Sequence, residues 1–364
     1  MKIVCDTAKL AKLCMNVQRT VSNKSTIPAI EGILLNALGD SLRLTGYDLE
    51  VGTETYLAAE VEDSGSIILN ARNFCDILRM LPDETVSIES DERNICKIKS
   101  GDTEYSIIGT GADEYPDLPT VTGGFPIVIQ QGLLKDMIRK TIFSVSTSER
   151  NPVHCGVKFE ISEGKIVLVA VDGARLAIRR EEIDYNGEPV SFVVPAKTLG
   201  EIVKLSEDDE QMYSISVGKR HISFEVGEYR IISRLLEGNF IDYKAAIPLS
   251  AATTVLAQTR RVIECVERTS LIITDRSSPV RCIVSQNRLK FSSVTSIGTA
   301  TDKMEADVAG QELEIGFNSK FILDALKACE TEDVKIEFNS ANQPILILPV
   351  TGENFLFLVL PVRI

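Results

Sequence analysis

Six cations recur in pairs along this chain: Arg72 and Arg79, Lys197 and Lys204, Lys320 and Lys327. Each pair is spaced i,i+7, two turns of an α-helix, so both members return to one face. Such a face suits an anion. More cations precede each pair on a second set of helical patterns: Lys9, Lys12 and Arg19; Lys135, Arg139 and Lys140; Arg260, Arg261 and Arg268. Other chemistry has little to stand on. His is used only at His154 and His221, and no nucleotide-binding, hydrolase, zinc-protease or EF-hand motif is present. Ile108-Gly109-Thr110-Gly111-Ala112 lacks the Lys-Ser/Thr that a phosphate loop needs. His154 and Cys155 are adjacent, and strand neighbours point to opposite faces, which speaks against a nucleophile–base pair. The acidic runs Ser206–Glu210 and Glu330–Asp333 read as solvated turns. No metal site, cofactor or catalytic residue is expected, so the chain reads as a non-enzyme.

The cation pairs sit in three copies of one segment: Asn70–Arg79, Pro195–Leu205 and Asn318–Lys327. Each copy has a cation, an apolar residue two later, an acid two after that, two apolar residues and a second cation. The copies lie about 124 positions apart, a domain-sized period. The chain therefore reads as three tandem domains of one fold, 1–120, 125–246 and 249–364. The candidate linkers are Tyr115–Gly124 and Ala245–Ala251, both Pro-marked.

The first halves repeat as well. A strand at Lys2–Cys5 precedes a helix at Thr7–Val17, and Ile127–Ile129 precedes Gly132–Thr141. The third unit has a helix at Thr254–Val266. Strand pairs follow: Gly32–Asn36 with Ser41–Thr45, Gly156–Glu160 with Lys165–Ala170, and Val280–Ser285 with Arg288–Ser292, each across a short polar turn. The fold class is α+β. Each domain reads as β-α-β-β-β twice over, antiparallel sheets on one side and two helices on the other.

Net charge is −13, from 39 Lys and Arg against 52 Asp and Glu, which taken alone argues against a nucleic-acid partner. Eight cysteines occur with no CxxC pairing, mostly in apolar contexts, so a zinc site is not expected and a reducing cytoplasm is. Asp6 directly after a short apolar run is not expected of a signal peptide. The run Phe355–Leu360 is too short to span a bilayer.

The distribution of cations qualifies the charge argument. On one helix, solvated cations with i,i+4 acids such as Arg72 and Asp76 would be the plain reading. Three helices in register favour a common basic surface on an acidic protein, electrostatically suited to a polyanion. Units with matched ends can also associate head to tail and close a ring. No aromatic residues interleave the basic helices, so stacking on single-stranded bases is not indicated.

Four segments carry a resemblance: Val171–Ala177 (VDGARLA), Ser233–Tyr243 (SRLLEGNFIDY), Gly316–Leu326 (GFNSKFILDAL) and the terminal Leu360–Ile364 (LPVRI). With length and three-unit layout, the chain resembles, over its whole extent, the bacterial sliding clamp family, the beta subunit of DNA polymerase III. The resemblance implies a head-to-tail homodimeric ring around duplex DNA. It implies a processivity factor without catalysis, to which polymerase, clamp loader and repair proteins dock through short peptides. Carried over by position, the peptide pocket comprises Val171, Gly173, Arg175, Leu176, Ile241, Asn318, Phe321, Val359, Leu360, Pro361, Val362 and Arg363. DNA contacts fall on Lys24, Ser148, Arg150 and Lys197, with Arg72 as the first-unit counterpart of Lys197. The protomer junction joins Tyr105 and Ile107 to Leu271 and Ile272. The family pattern is altered at Val171 and Ala174, where Thr and a ring-bearing residue are common, and at Ile241 and Ala245, which replace Pro and Arg. It would also place an aromatic near Ser277. The alternative is an acidic three-domain scaffold that binds protein only; a small-molecule transferase comes third.

Overall fold

The structure is a computed structural model that describes residues 1–122, 126–206, 209–274 and 278–364; Gly123, Gly124 and Ser277 lie outside the described residues. The first repeat runs β1 (Lys2–Asp6), α1 (Thr7–Val17), β2 (Gly32–Leu38), β3 (Ser41–Tyr47), β4 (Val51–Ala58), β5 (Glu60–Asp63), β6 (Gly65–Asn70), α2 (Ala71–Arg79), β7 (Thr85–Ser90), β8 (Ile95–Ser100) and β9 (Thr103–Ile108). The second runs β10 (Ile127–Gln130), α3 (Gln131–Arg139), β11 (Gly156–Ser162), β12 (Lys165–Val171), β13 (Arg175–Glu182), β14 (Val190–Pro195), α4 (Ala196–Leu205), β15 (Met212–Val217), β16 (His221–Val226) and β17 (Tyr229–Arg234). The third runs β18 (Thr253–Gln258), α5 (Thr259–Ser270), β19 (Val280–Ser285), β20 (Arg288–Thr295), β21 (Gly298–Glu305), β22 (Asp307–Gly310), β23 (Leu313–Phe317), α6 (Ser319–Cys329), β24 (Asp333–Phe338), β25 (Ile345–Leu348) and β26 (Phe355–Val359). The expected twofold β-α-β-β-β plan appears in every repeat, with short extra strands β5 and β22.

One helix start differs from expectation. Thr254–Gln258, read as helix, is strand: burial alternates along Thr253–Gln258, and Val255 pairs with both Ile336 and Val308. Period-2 burial between two neighbouring strands overrides local helical spacing, and α5 begins at Thr259.

The chain folds as two compact units, residues 1–132 with 197–235, and 133–196 with 236–364. The first unit holds a five-stranded sheet, β5-β1-β7-β8-β9, and an eight-stranded one, β10-β15-β16-β17-β4-β3-β2-β6. The second holds a nine-stranded sheet, β14-β11-β12-β13-β26-β25-β24-β18-β22, and a four-stranded one, β21-β20-β19-β23. The larger sheets cross from one repeat to the next. β17 pairs with β4 (Ser233 opposite Val51), and β26 pairs with β13 in the same way (Val359 opposite Arg175). The middle repeat thus gives strands to both units.

The helices form where caps and apolar spacing agree. Asp6, Asn70 and Asn318 cap α1, α2 and α6 by accepting from the backbone N–H of Lys9, Asn73 and Lys320 at 2.6, 3.1 and 3.0 Å. Each helix buries one stripe: Leu10, Leu13, Cys14 and Val17 on α1; Phe74, Cys75 and Leu78 on α2; Leu199, Ile202 and Leu205 on α4; Ile322, Ala325, Leu326 and Cys329 on α6. Burying one Leu or Ile contributes about 1.5–3 kcal/mol, so the stripe fixes which face is left for the cations. In the third repeat α5 and α6 share a core with both sheets, including Phe291, Phe317, Phe338 and Phe357.

All eight cysteines are free, and seven are buried; Cys155 is half-exposed. Burial pushes the thiols of Cys5, Cys75, Cys96, Cys282 and Cys329 up to about 12, which makes them unreactive core residues. No helix among the described residues is long and apolar enough to cross a membrane.

Candidate functional site

The second unit gathers most of the expected pocket around one turn. β12 and β13 are joined at Asp172, whose Oδ1 accepts from the N–H groups of Ala174 and Arg175 at 3.0 and 3.1 Å. Gly173 sits in this turn at φ 90°, a left-handed conformation that a side chain would strain. Arg175 leaves the turn only 9% exposed. Its Nε donates to Asp172 Oδ2 at 2.8 Å and its Nη1 to Asp324 Oδ2 at 2.7 Å. The guanidinium lies over the Phe321 ring at 4.4 Å and near Phe143 at 5.6 Å. Two carboxylates and a ring face hold a planar cation that lysine could not replace.

Leu176 points to the other side of the strand. It packs with Val171, Ile178, Tyr243, Leu346, Leu356 and Leu358 in a buried cluster, against which Phe240 and Ile247 lie half-buried. Ile241 is 48% exposed beside them. The C-terminal segment runs past the turn: Leu360 N–H donates to Ala174 O and Val362 N–H to Gly316 O, both at 2.8 Å. Val359 is buried, Leu360 is 40% exposed, Pro361 and Val362 are half-buried, and Arg363 is exposed. Asn318 caps α6 next to Phe321. The structure therefore brings together the sequence-expected residues from the β12–β13 turn, the start of α6 and the C-terminus.

Sequence reasoning missed Asp172 and Asp324 as the partners of Arg175, and Phe240, Tyr243, Ile247 and Leu346 as the apolar floor. The apolar residues at 240, 243 and 247 were the available signal. Ile247 falls inside a segment read as linker, yet it packs on the sheet. Tyr243 OH donates to Glu160 Oε2 at 2.7 Å, and Lys158 pairs with Glu160 at 2.6 Å. Burial works against ionised Glu160, but Lys158 and the tyrosine outweigh it and hold the carboxyl below its usual range. Burial and the Glu160 carboxylate push the Tyr243 hydroxyl well up. The segment over the floor is thus pinned by a charge-assisted bond.

The six cations of the paired helical faces are exposed, as the spacing predicts, but four of them are engaged. Arg79 pairs with Asp76 at 3.1 Å, Lys204 with Glu201 at 2.7 Å and Lys327 with Glu267 at 2.7 Å; Lys197 pairs with Asp48. Lys24, Arg72, Arg150 and Lys320 are exposed and have no ion-pair partner among the described residues. Ser148 is exposed, and its N–H donates to Ser146 Oγ at 3.0 Å. The Arg79–Asp76 and Lys327–Glu267 pairs are exposed on both sides, a kind worth about 0–1 kcal/mol, whereas Asp48 and Glu201 are largely buried.

Each unit also ends in an uncovered sheet edge. In the first unit β9 is an edge strand carrying half-buried Tyr105 and Ile107 with Ile108 84% exposed. In the second, β21 is an edge strand, whereas the other edge, β23, is bridged by Val362 at Gly316. Near the β20–β21 turn Val294 and Ile297 are 73% and 66% exposed; Leu271 after α5 is 81% exposed, and Ile272 is half-buried. Ile108, Val294 and Ile297 were not anticipated. An edge strand left open can pair with another chain.

Three family models match successive stretches of the chain: the DNA polymerase III beta subunit N-terminal domain over residues 1–119, its central domain over 128–242 and its C-terminal domain over 244–363. The chain belongs to the DNA polymerase III beta subunit family. Among curated relatives of this family, the beta sliding clamp of Bacillus subtilis (strain 168) is 33% identical over 376 aligned residues, covering 100% of both chains. That of Staphylococcus aureus (strain N315) is 32% identical, covering 95% of this chain and 94% of the other. Among solved beta subunits, the sliding clamp of Bacillus subtilis superposes with TM-score 0.97 at 32% identity, covering 100% of this chain and 99% of that one. The sliding clamp of Pseudomonas aeruginosa bound to griselimycin superposes with TM-score 0.95 at 26% identity, covering 100% of each. The fold of this beta subunit is therefore three clamp-type domains of helices on antiparallel sheets. Among its described residues, no group of three or more His, Cys, Asp or Glu side chains is placed to hold a metal ion.

Proposed function

We propose that the protein is a sliding clamp: two copies join head to tail around duplex DNA and tether the replicative polymerase as a processivity factor, without catalysis of their own. The observation that carries this reading is the full-length match to all three beta-subunit domains, set beside cations repeated at one position of the second helix in each. Lys24, Arg72, Ser148, Arg150 and Lys197 would meet the duplex. They are hydrogen-bonding and cationic groups without base-reading chemistry, suited to backbone contact that positions and does not specify. The Arg175 turn, the Leu176 floor and the tail Leu360–Arg363 would take a short peptide from the polymerase, the clamp loader or a repair protein. An apolar floor with a few oriented polar groups is the usual form of such a groove. The repeats at 1–120, 125–246 and 249–364 would serve as the three domains, in the cytoplasm where replication proceeds.

The edges β9 and β21, with Tyr105 and Ile107 on one and Leu271 and Ile272 beside the other, would form the protomer junction. Solution mass tests this directly. Light scattering is expected to give about twice the 40.0 kDa chain, in keeping with the commonness of homodimers. A monomer at every concentration would rule out a two-protomer ring.

A further inference from the structure

One carboxylate stands beneath the lining cation of α4. Asp48 follows β3, and its side chain is 8% exposed, against 54% for Lys197. Lys197 Nζ donates to Asp48 Oδ2. Asp48 is itself fixed: its Oδ1 accepts from the N–H groups of Glu50 and Val51 at 3.0 and 2.7 Å, and its own N–H donates to Val51 O at 3.2 Å.

The same turn recurs one repeat later at Asp172, with the same three bonds to Ala174 and Arg175. Register confirms the equivalence, since Val51 faces β17 as Arg175 faces β26. Asp172 spends its second oxygen on Arg175 of its own hairpin. In the first repeat that position is Val51, which offers no cation. The free Oδ2 of Asp48 takes Lys197 from α4 instead. Arg72 and Lys320, at the matching position of α2 and α6, have no ion-pair partner among the described residues. Pairing of the α4 cation from below is thus specific to this junction.

We propose that Asp48 is a brake on the grip of DNA: it neutralises Lys197 in part and keeps the hold on the duplex loose enough for sliding. The proposal rests on the clamp reading above. A lysine already paired with a carboxylate displaces fewer counterions when it meets phosphate, so it adds less affinity and less salt dependence. The lysine end of the pair is half-exposed, so its ammonium stays within reach of solvent and of a phosphate. Lys197 is therefore shared between Asp48 and a passing backbone rather than locked to either.

Asp48→Asn isolates the charge, because the amide oxygen still accepts from Glu50 and Val51 and keeps the turn. Asp48→Ser, a shorter acceptor, stands in should the amide variant fail to fold. Binding of a labelled duplex is measured over a series of salt concentrations for wild type, Asp48→Asn, Lys197→Ala and the double variant. Asp48→Asn binds several-fold tighter at low salt, with a log–log salt slope steeper by a part of the about 0.9 that one full phosphate contact gives, and the double variant returns to the Lys197→Ala value. Unchanged or weaker binding by Asp48→Asn, or a tightening that persists in the double variant, overturns the brake while leaving the clamp reading intact. Absence of any salt-dependent binding by wild type removes the clamp reading and the brake together.

Discussion

Arg175→Ala loses at least tenfold in affinity for a polymerase-derived peptide and unfolds at lower denaturant. Arg175 satisfies Asp172 and Asp324 at once and lies against Phe321. Removing it leaves Asp172, 15% exposed, and Asp324, 29% exposed, facing each other without a cation. Stranding a buried partner costs about 3–5 kcal/mol. The partial exposure of Asp324 lowers that to about 2–3 kcal/mol by solvent screening. The turn loses one wall and Phe321 loses the group that orients its ring, so the pocket loosens along with the fold. Arg175→Lys restores the charge but not the fork, and it recovers less than half of the lost stability. Circular dichroism in urea reads the stability, and anisotropy of a labelled peptide reads the pocket. Wild-type peptide affinity in Arg175→Ala would take this arginine out of the site.

The double variant Lys24→Glu, Lys197→Glu holds duplex DNA poorly, and its salt slope is shallower by between about 0.9 and about 1.8, a full phosphate contact from Lys24 and the part that Asp48 leaves to Lys197. Both side chains are exposed, so the loss comes without a packing penalty, and solution mass and peptide affinity stay at wild-type values. The sign follows from charge alone: each reversal places an anion where a phosphate approaches, next to Asp48 in the case of Lys197. A salt slope equal to wild type would move the DNA contact elsewhere.

These effects divide what the sequence made legible from what it did not. The threefold plan was open to view because each repeat reuses one local pattern, cation, apolar stripe and acid, and such patterns need no partner to be read. The start of α5 was misread for the opposite reason. Thr254–Gln258 has apolar residues at spacings compatible with helix, and what makes it a strand is pairing with residues 308 and 336, about 50 to 80 positions away. The continuous sheets were hidden likewise: Val51 meets Ser233, and Arg175 meets Val359. So was the pairing of the cations. Asp76 beside Arg79 is within one helix, whereas Asp48 reaches Lys197 from 149 residues away. Of the pocket, the turn and tail were readable from the family resemblance, while the floor residues Phe240, Tyr243 and Ile247 declare themselves only once the segment folds back on the sheet.

The clamp reading requires that the protein hold DNA by enclosing it. The direct measurement is retention on nicked circular duplex compared with the same duplex cut once, after loading in both cases. The protein is expected to stay on the circle and run off the linear molecule, with retention restored by blocking both ends. Equal retention on circular and open linear DNA would contradict it.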